Sequence, residues 1–211
     1  MAQAKGSDYT CQVCGSEAEL ILEGLDTVSD VMKAGTKVCK DCGSEEEIVL
    51  TEHADDTVKA VTVALRREKE AYLFYTDAAK KTSSLRGKDM LTQLAAFELN
   101  HYKKILHLYH SLQKTGKWVP YAGQAEIGAT RHLKETRDEK STREDDINVL
   151  TMAIKKEEEA QALYNKMAEE TEDPTGKEMF KKLAAEEEVH WRILSDQFYA
   201  LSNQGFWLWG D

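Results

Sequence analysis

Glutamate and histidine recur three positions apart at two places in this 211-residue sequence. The first pair is Glu98 and His101 in LAAFELNHYKK, and the second is Glu187 and His190 in LAAEEEVHWRI. Residues three apart lie on one face of a helix, so each pair presents a carboxylate and an imidazole in the same direction. This combination of ligands suits iron, manganese or zinc, whereas calcium avoids imidazole.

Both pairs belong to an internal repeat with a period of 89 residues. The same shift aligns Glu68 with Glu157. It also aligns Tyr75 with Tyr164. Chance explains one such match in a helical sequence, but hardly a single offset that keeps all of these pairs. We therefore expect two similar helical hairpins that pack face to face about an approximate two-fold axis, with residues near that axis meeting in the core.

The four repeated glutamates interrupt apolar stripes of the predicted helices. Glu68, for example, follows Ala64 and Leu65 and precedes Tyr72 at helical spacing. An unpaired buried carboxylate costs several kcal/mol, and two histidines cannot neutralise four of them. Protonation of all four requires large pKa shifts. Two divalent cations would balance the charge, with the histidines as neutral ligands. The alternative is that the glutamates lie on solvated faces and the histidines are ordinary core residues.

Helical periodicity begins near residue 55 and predicts four helices, over about 56–82, 89–115, 144–171 and 174–202. Asp89 is a plausible N-cap for the second helix, and Ser141-x-x-Glu144 is a possible capping box for the third. Asp173-Pro174 is typical of a helix start, and Gly205 ends the fourth helix. The long stretch between the second and third helices predicts a crossover, and the apolar tail FWLWGD is expected to pack against the bundle.

All four cysteines lie in residues 1–50, which we predict to be a separate domain from residues 51–211. Cys11-x-x-Cys14 and Cys39-x-x-Cys42 have the spacing of two metal-binding knuckles that close one tetrahedral site. Zinc would make this site structural, and iron would make it a one-electron carrier. A pair of disulfides is the alternative, and a reducing cytoplasm disfavours it.

This pattern resembles that of the rubrerythrins, which join a ferritin-like di-iron bundle to a small rubredoxin-like domain. The resemblance implies a mainly α fold: a ferritin-like four-helix bundle with a long crossover, preceded here by a rubredoxin-like or zinc-ribbon β domain. It implies that six residues are the di-iron ligands, with Glu98 and Glu187 as the bridging pair: Glu68, Glu98, His101, Glu157, Glu187 and His190. The sequence departs from the rubrerythrin pattern in two ways. The cysteine domain lies before the bundle, and Ala160 stands where rubrerythrins carry an extra glutamate.

The function implied by the resemblance is reduction of hydrogen peroxide to water in defence against oxidative stress. Two iron ions in the bundle would do the chemistry, and an iron ion in the four-cysteine site would relay electrons from a reductase or a small electron-transfer protein. Tyr75 and Tyr164 are candidate catalytic residues, although aromatic packing with a hydroxyl bonded to a ligand is the simpler interpretation. The alternatives are a ferroxidase or iron-storage subunit, an oxygen-activating oxidase, and a non-enzymatic zinc-ribbon interaction module.

The net charge of -10 argues against nucleic acid as a partner, because phosphates require a cationic surface. Apolar runs are short and the first residues lack the apolar core of a signal peptide, so we expect a cytoplasmic protein that does not contact a membrane. The resemblance to rubrerythrins implies a homodimer.

Overall fold

The computed structural model describes residues 9–10, 17–20, 36–39, 45–47, 56–121, 123 and 142–209. Within these ranges lie four long helices: α1 (Asp56–Lys81), α2 (Leu85–Thr115), α3 (Arg143–Glu170) and α4 (Pro174–Asn203). The predicted mainly α fold with a long connection between the second and third helices is therefore confirmed.

The helices pack as two hairpins, α1 along α2 and α3 along α4. Only residues 82–84 and 171–173 connect the helices within each hairpin, which makes the paired helices antiparallel neighbours. Leu94 and Leu183 are fully buried, as are Ile105 and Leu194, and the members of both pairs are 89 residues apart. The core is thus built from equivalent positions of the two hairpins.

Four short strands precede the helices: β1 (Tyr9–Thr10), β2 (Glu17–Leu20), β3 (Thr36–Cys39) and β4 (Glu45–Glu47). They form an antiparallel sheet in the order β1-β2-β3-β4, in which Cys39 pairs with Ala18. Cys39 therefore ends a strand. Cys11, Cys14 and Cys42 lie outside the described residues, as does the predicted domain boundary at residue 50, so the four-cysteine site stays a prediction.

The start of α2 differs from the prediction. Ser84, in extended conformation, is the N-cap, and its hydroxyl accepts a hydrogen bond from the Gly87 backbone N–H at 3.1 Å. Asp89 lies more than one turn inside the helix, where its carboxylate accepts a hydrogen bond from Trp209 Nε1 at 2.8 Å. The prediction of Asp89 as N-cap was wrong because the helix already begins after Ser84, and the Asp89 carboxylate accepts hydrogen bonds from the side chains of Trp209 and Gln93.

The predicted capping box of α3 is displaced by one residue. Thr142 is the N-cap, and it exchanges hydrogen bonds with Asp145 in place of the predicted Ser141 and Glu144. The start of α4 agrees with the prediction: Asp173 accepts hydrogen bonds from two backbone N–H groups, and Pro174 is the first helical residue.

Each hairpin provides a tryptophan that packs on a glycine of the other. The Trp207 ring lies against Gly87, and the Trp118 ring lies against Gly176. A Cβ atom at either glycine would come within 2.7 Å of the indole. The two glycines are 89 residues apart and so are the two tryptophans, which extends the repeat beyond the helices.

The C-terminal tail packs on the bundle, as predicted. Trp207 is fully buried and Trp209 is nearly so, whereas Phe206 and Leu208 point outward. Arg86 donates a hydrogen bond to the Trp207 carbonyl at 2.8 Å and holds the tail against the start of α2. None of the helices in the described ranges combines the length and the apolar character needed to cross a membrane.

Candidate metal centre

The bundle buries six metal-ligand candidates at its centre, each no more than 2% exposed. They form two overlapping groups whose ligand atoms lie within 4.8 Å of one another: Glu68, Glu98, His101 and Glu187, and Glu98, Glu157, Glu187 and His190. The structure thus brings together all six residues that the repeat and the resemblance indicated. Every helix contributes, because each has its glutamate in the stripe that faces the other hairpin.

Glu98 and Glu187 belong to both groups and divide their oxygens between the two histidines. Glu98 Oε2 lies 3.6 Å from His101 Nδ1, and Glu98 Oε1 lies 3.2 Å from His190 Nδ1. Glu187 does the same, with Oε1 3.3 Å from His101 Nδ1 and Oε2 3.2 Å from His190 Nδ1. This is the arrangement expected of two bridging carboxylates.

Glu68 and Glu157 each belong to one group only. Glu68 Oε2 lies 3.2 Å from His101 Nδ1, and Glu157 Oε2 lies 3.7 Å from His190 Nδ1. The two histidine rings are stacked with centroids 5.8 Å apart, one on either side of the approximate two-fold axis. Glu68 and Glu157 therefore occupy the positions of terminal carboxylates, one for each half of the site.

The donor set fits two divalent cations better than it fits hydrogen bonds. Each histidine offers one Nδ1 atom to three carboxylates, and a single proton cannot satisfy three acceptors well. No hydrogen bond with acceptable geometry reaches Glu98 Oε1 or Glu187 Oε1 from the described residues, although histidine nitrogens lie 3.2 and 3.3 Å away. Buried oxygens without a donor suit a cation, and the mixture of carboxylate and imidazole suits iron, manganese or zinc.

The pKa values of the terminal and shared carboxyls move in opposite directions. Burial and the charge of Glu98 raise the pKa of Glu68 to about 8, and burial with Glu98 and Glu187 raises the pKa of Glu157 well above its usual range. Burial opposes ionisation of Glu98 and Glu187 as well, but the histidines outweigh it and lower the pKa of both carboxyls.

Both histidines have pKa values well above the usual range. Burial disfavours the imidazolium, but the carboxylates around each ring outweigh burial, with Glu186 and Glu187 foremost at His101 and Glu157 and Glu187 foremost at His190. The raised pKa values favour the protonated forms of both histidines, Glu68 and Glu157, and the lowered values favour the ionised forms of Glu98 and Glu187.

Tyr75 and Tyr164 connect the two hairpins through the terminal carboxylates. Tyr75 donates its hydroxyl to Glu157 Oε1, and Tyr164 donates its hydroxyl to Glu68 Oε1. Both rings are fully buried. Burial and the neighbouring carboxylates raise the pKa of both hydroxyls well above 10, so they remain donors. Each tyrosine thus orients the terminal glutamate of the opposite hairpin, which supports the simpler of the two interpretations given to them.

A further carboxylate, Glu186, contacts the site from outside. Its Oε2 lies 2.7 Å from His101 Nε2 and accepts a hydrogen bond from the Tyr121 hydroxyl at 2.5 Å. Sequence reasoning missed both residues. The sequence does contain a signal for Glu186, because the two halves of the repeat differ at this position. Phe97 precedes the first Glu-x-x-His pair, whereas Glu186 precedes the second.

A small cavity of about 20 Å³ connects the carboxylates with the surface between α1 and α3. Arg67 and Lys156 line it, as do Ala71 and Ala160, and both pairs are related by the 89-residue shift. The Arg67 guanidinium donates a hydrogen bond to the Lys156 carbonyl at this opening. Such a volume holds about one water-sized molecule.

The second hairpin also has a recognisable family signature. Residues 148–204, which include Glu157, Glu187 and His190, match the Rubrerythrin family model. The second hairpin is similar to the rubrerythrins. A solved structure of a hypothetical protein from Pyrococcus furiosus is similar in fold, with 27% sequence identity and a TM-score of 0.55. That similarity covers 72% of this chain and 95% of the other. No curated protein matches the chain.

The rubrerythrin match supports a ferritin-like metal-binding protein and covers one hairpin directly. The internal repeat extends the same ligand pattern to the first hairpin, where Glu68, Glu98 and His101 occupy the equivalent positions. Ala160 lines the cavity, and its repeat partner Ala71 is also small. The candidate site is therefore close to symmetric in its six buried residues.

Proposed function

We propose that this protein is a non-haem di-iron peroxidase that reduces hydrogen peroxide to water. The observation that carries the proposal is the division of the Glu98 and Glu187 oxygens between two histidines. Two ferrous ions, when bound, would supply the two electrons with which one hydrogen peroxide and two protons become two waters. The rubrerythrin-family segment supports iron as the metal.

The chain's own residues hold the metals and set the charge of the site. His101 and His190 would bind through Nδ1, Glu68 and Glu157 would each serve one ion, and Glu98 with Glu187 would bridge. Four ionised carboxylates balance two divalent ions and stabilise the higher charge that oxidation creates. Tyr75 and Tyr164 keep the terminal carboxylates in position through their hydroxyls.

The size of the cavity between α1 and α3 supports a small oxidant. Its volume of about 20 Å³ holds about one water-sized molecule, and the methyl groups of Ala71 and Ala160 form part of its wall. Hydrogen peroxide is the smallest peroxide and comes nearest to this size, whereas alkyl hydroperoxides are larger. The cavity is the natural route of the oxidant, because it lies against all four metal-binding glutamates.

Electrons would enter through the four-cysteine site formed by Cys11, Cys14, Cys39 and Cys42, with a reductase or small electron-transfer protein as donor. The spacing of the cysteines supports this site, and Cys39 ends a strand of the small sheet. Iron is required for the relay, and zinc would make the domain structural. A homodimer would let the cysteine domain of one chain approach the bundle of another.

A double substitution tests this function. Glu98→Ala with Glu187→Ala removes both bridging carboxylates and should abolish peroxide reduction by the chemically reduced, iron-reconstituted protein. The control is Glu169→Ala with Glu188→Ala, which removes two exposed carboxylates, one from α3 and one from α4. Retained peroxide turnover in the first variant would reject the proposed ligand set.

A second candidate is an oxidase or ferroxidase that uses dioxygen, because dioxygen has two heavy atoms, as hydrogen peroxide does, and would use the same cavity. Rates of re-oxidation of the di-ferrous protein by peroxide and by dioxygen separate the two, and a faster reaction with dioxygen would favour the oxidase. Iron storage additionally requires a closed shell, so a dimer in solution would exclude it. A zinc-ribbon interaction module predicts a colourless protein without iron.

A further inference from the structure

The two histidines of the metal centre have different outer neighbours despite the internal repeat. His101 Nε2 lies 2.7 Å from the Glu186 carboxylate. The residue that aligns with Glu186 under the 89-residue shift is Phe97, and its ring stands edge-on to His190 with centroids 5.6 Å apart. One histidine therefore has an anionic acceptor behind it, and the other has an apolar ring.

This difference matters because of the proton on the outer nitrogen. A neutral histidine that binds a cation through Nδ1 carries its proton on Nε2. At His101 that N–H donates to Glu186, which fixes the orientation of the ring and makes Nδ1 a stronger electron donor. Phe97 offers His190 no comparable acceptor.

Glu186 is itself held in place by the crossover that follows α2. The Tyr121 hydroxyl donates to the same Glu186 oxygen at 2.5 Å. Tyr121 is fixed in turn, since its carbonyl accepts a hydrogen bond from Lys182 at 3.3 Å and its ring lies 4.5 Å below the Lys104 ammonium. The Glu186 side chain is 20% exposed, so water offsets part of the cost of burying its charge.

We propose that Glu186, oriented by Tyr121, is a positioning residue that makes the two metal positions unequal, so that the position at His101 binds its divalent ion more tightly. The inference rests on the proposed metal centre and goes beyond it, because the inner ligands alone are symmetric. Removal of such an outer carboxylate typically weakens metal binding by about 10–100-fold.

Titration of the full, metal-free chain with cobalt(II), followed by visible absorption, tests the inference without any measurement of activity. The predicted four-cysteine site would also bind cobalt, and the intense charge-transfer absorption of its thiolates distinguishes it. Apart from that site, the wild-type chain should bind two ions in separate steps, called the first and the second step. In Glu186→Leu the first step should weaken by about 10–100-fold and approach the second. Glu186→Gln keeps an acceptor oxygen and should show a smaller loss. The matched control Glu188→Leu changes an exposed carboxylate two residues away and should leave both steps unchanged.

Tyr121→Phe provides an independent variant that keeps the ring and removes only the hydroxyl. It should weaken cobalt binding in the first step by less than Glu186→Leu does. Together with Glu186→Gln it provides the test if Glu186→Leu does not fold.

Unchanged separation of the two steps in the folded Glu186 variants would overturn the inference. Absence of two cobalt sites in the wild-type chain would overturn the metal centre as well. Two unequal cobalt sites in a protein inactive toward peroxide would support the inference and reject only the proposed function.

Discussion

Tyr75 of α1 donates its hydroxyl to Glu157 of α3 and thereby joins the two hairpins at the metal centre. Tyr164 of α3 returns the same contact to Glu68 of α1. The two tyrosine contacts are related by the approximate two-fold axis, and so are the two tryptophan–glycine contacts between the hairpins. The symmetry that positions the candidate metal ligands therefore also holds the bundle together.

Replacing both tyrosines should destabilise the metal-free protein. Tyr75→Phe leaves a buried oxygen of Glu157 without its donor, and Tyr164→Phe does the same to Glu68. Each change should lower the free energy of unfolding by about 1–3 kcal/mol. Urea denaturation measures the effect, with Tyr199→Phe at an exposed ring as the control. Equal stability of the double variant and the control would show that these hydroxyls do not hold the carboxylates.

Gly87→Ala and Gly176→Ala should each destabilise the fold. The added methyl group would come within 2.7 Å of the indole of Trp207 or Trp118. A close approach of this kind costs about 1–3 kcal/mol in a packed interior. Glycine to alanine in an unobstructed helix has the opposite sign and stabilises by about 0.5–1 kcal/mol. Thermal or urea unfolding distinguishes the two, and a gain in stability would contradict the tryptophan packing.

Metal binding should release protons, and metal affinity should rise with pH. The pKa of Glu68 is raised to about 8 and that of Glu157 is raised well above its usual range, which favours the neutral acid of each. The raised pKa values of His101 and His190 favour the imidazolium form of each ring. Divalent ions bind to ionised carboxylates and neutral imidazoles and must therefore displace protons from these groups. Calorimetric titration in buffers of different ionisation enthalpy measures the number released.

The raised pKa of Glu68 also sets the sign of the pH dependence of stability. The folded-state pKa of Glu68 lies above its unfolded value near 4.5, so the neutral form is favoured by folding. Its contribution to the stability of the metal-free protein is complete below about pH 4.5 and is lost as pH rises toward 8. Metal should restore stability across that window. No proton release on metal binding, or metal affinity independent of pH there, would contradict these protonation states.

Filling the cavity between α1 and α3 should block the oxidant and spare the metals. Ala160→Leu places a larger side chain in a space of about 20 Å³ beside the carboxylates. Iron content should stay the same. The rate of peroxide reduction should fall by at least about tenfold, equivalent to 1.4 kcal/mol. The affinity for azide, a small probe of an open iron position, should fall by the same factor. Ala162→Leu, on the exposed face of α3, is the control. Unchanged azide binding in Ala160→Leu would place the route elsewhere.

The convergence of the six buried side chains could be predicted because two independent patterns agree on them. The shift of 89 residues pairs Glu68 with Glu157, and helical periodicity places both in apolar stripes. Local signals also predicted the start of α4 at Asp173 and Pro174. Helical periodicity and capping depend on residues within a few turns of one another, and the repeat appears as matching residue types, so a sequence displays all of these directly.

The features that were missed depend on contacts between distant segments. Glu186 lies 85 residues from His101 and 65 residues from Tyr121, and no helical spacing brings these three together. Asp89 resembles an N-cap locally, but Trp209 uses its carboxylate from 120 residues away. The fold of the crossover and of the C-terminal tail decides both cases, and neither segment has a periodic pattern.

The central claim is that six buried side chains hold two cations in one pocket. Anomalous X-ray diffraction at the iron absorption edge, from crystals of the iron-loaded protein, tests it most directly. Two iron peaks should lie between Glu98 and Glu187, one beside His101 Nδ1 and the other beside His190 Nδ1. A single peak, or iron bound away from these six residues, would contradict the account.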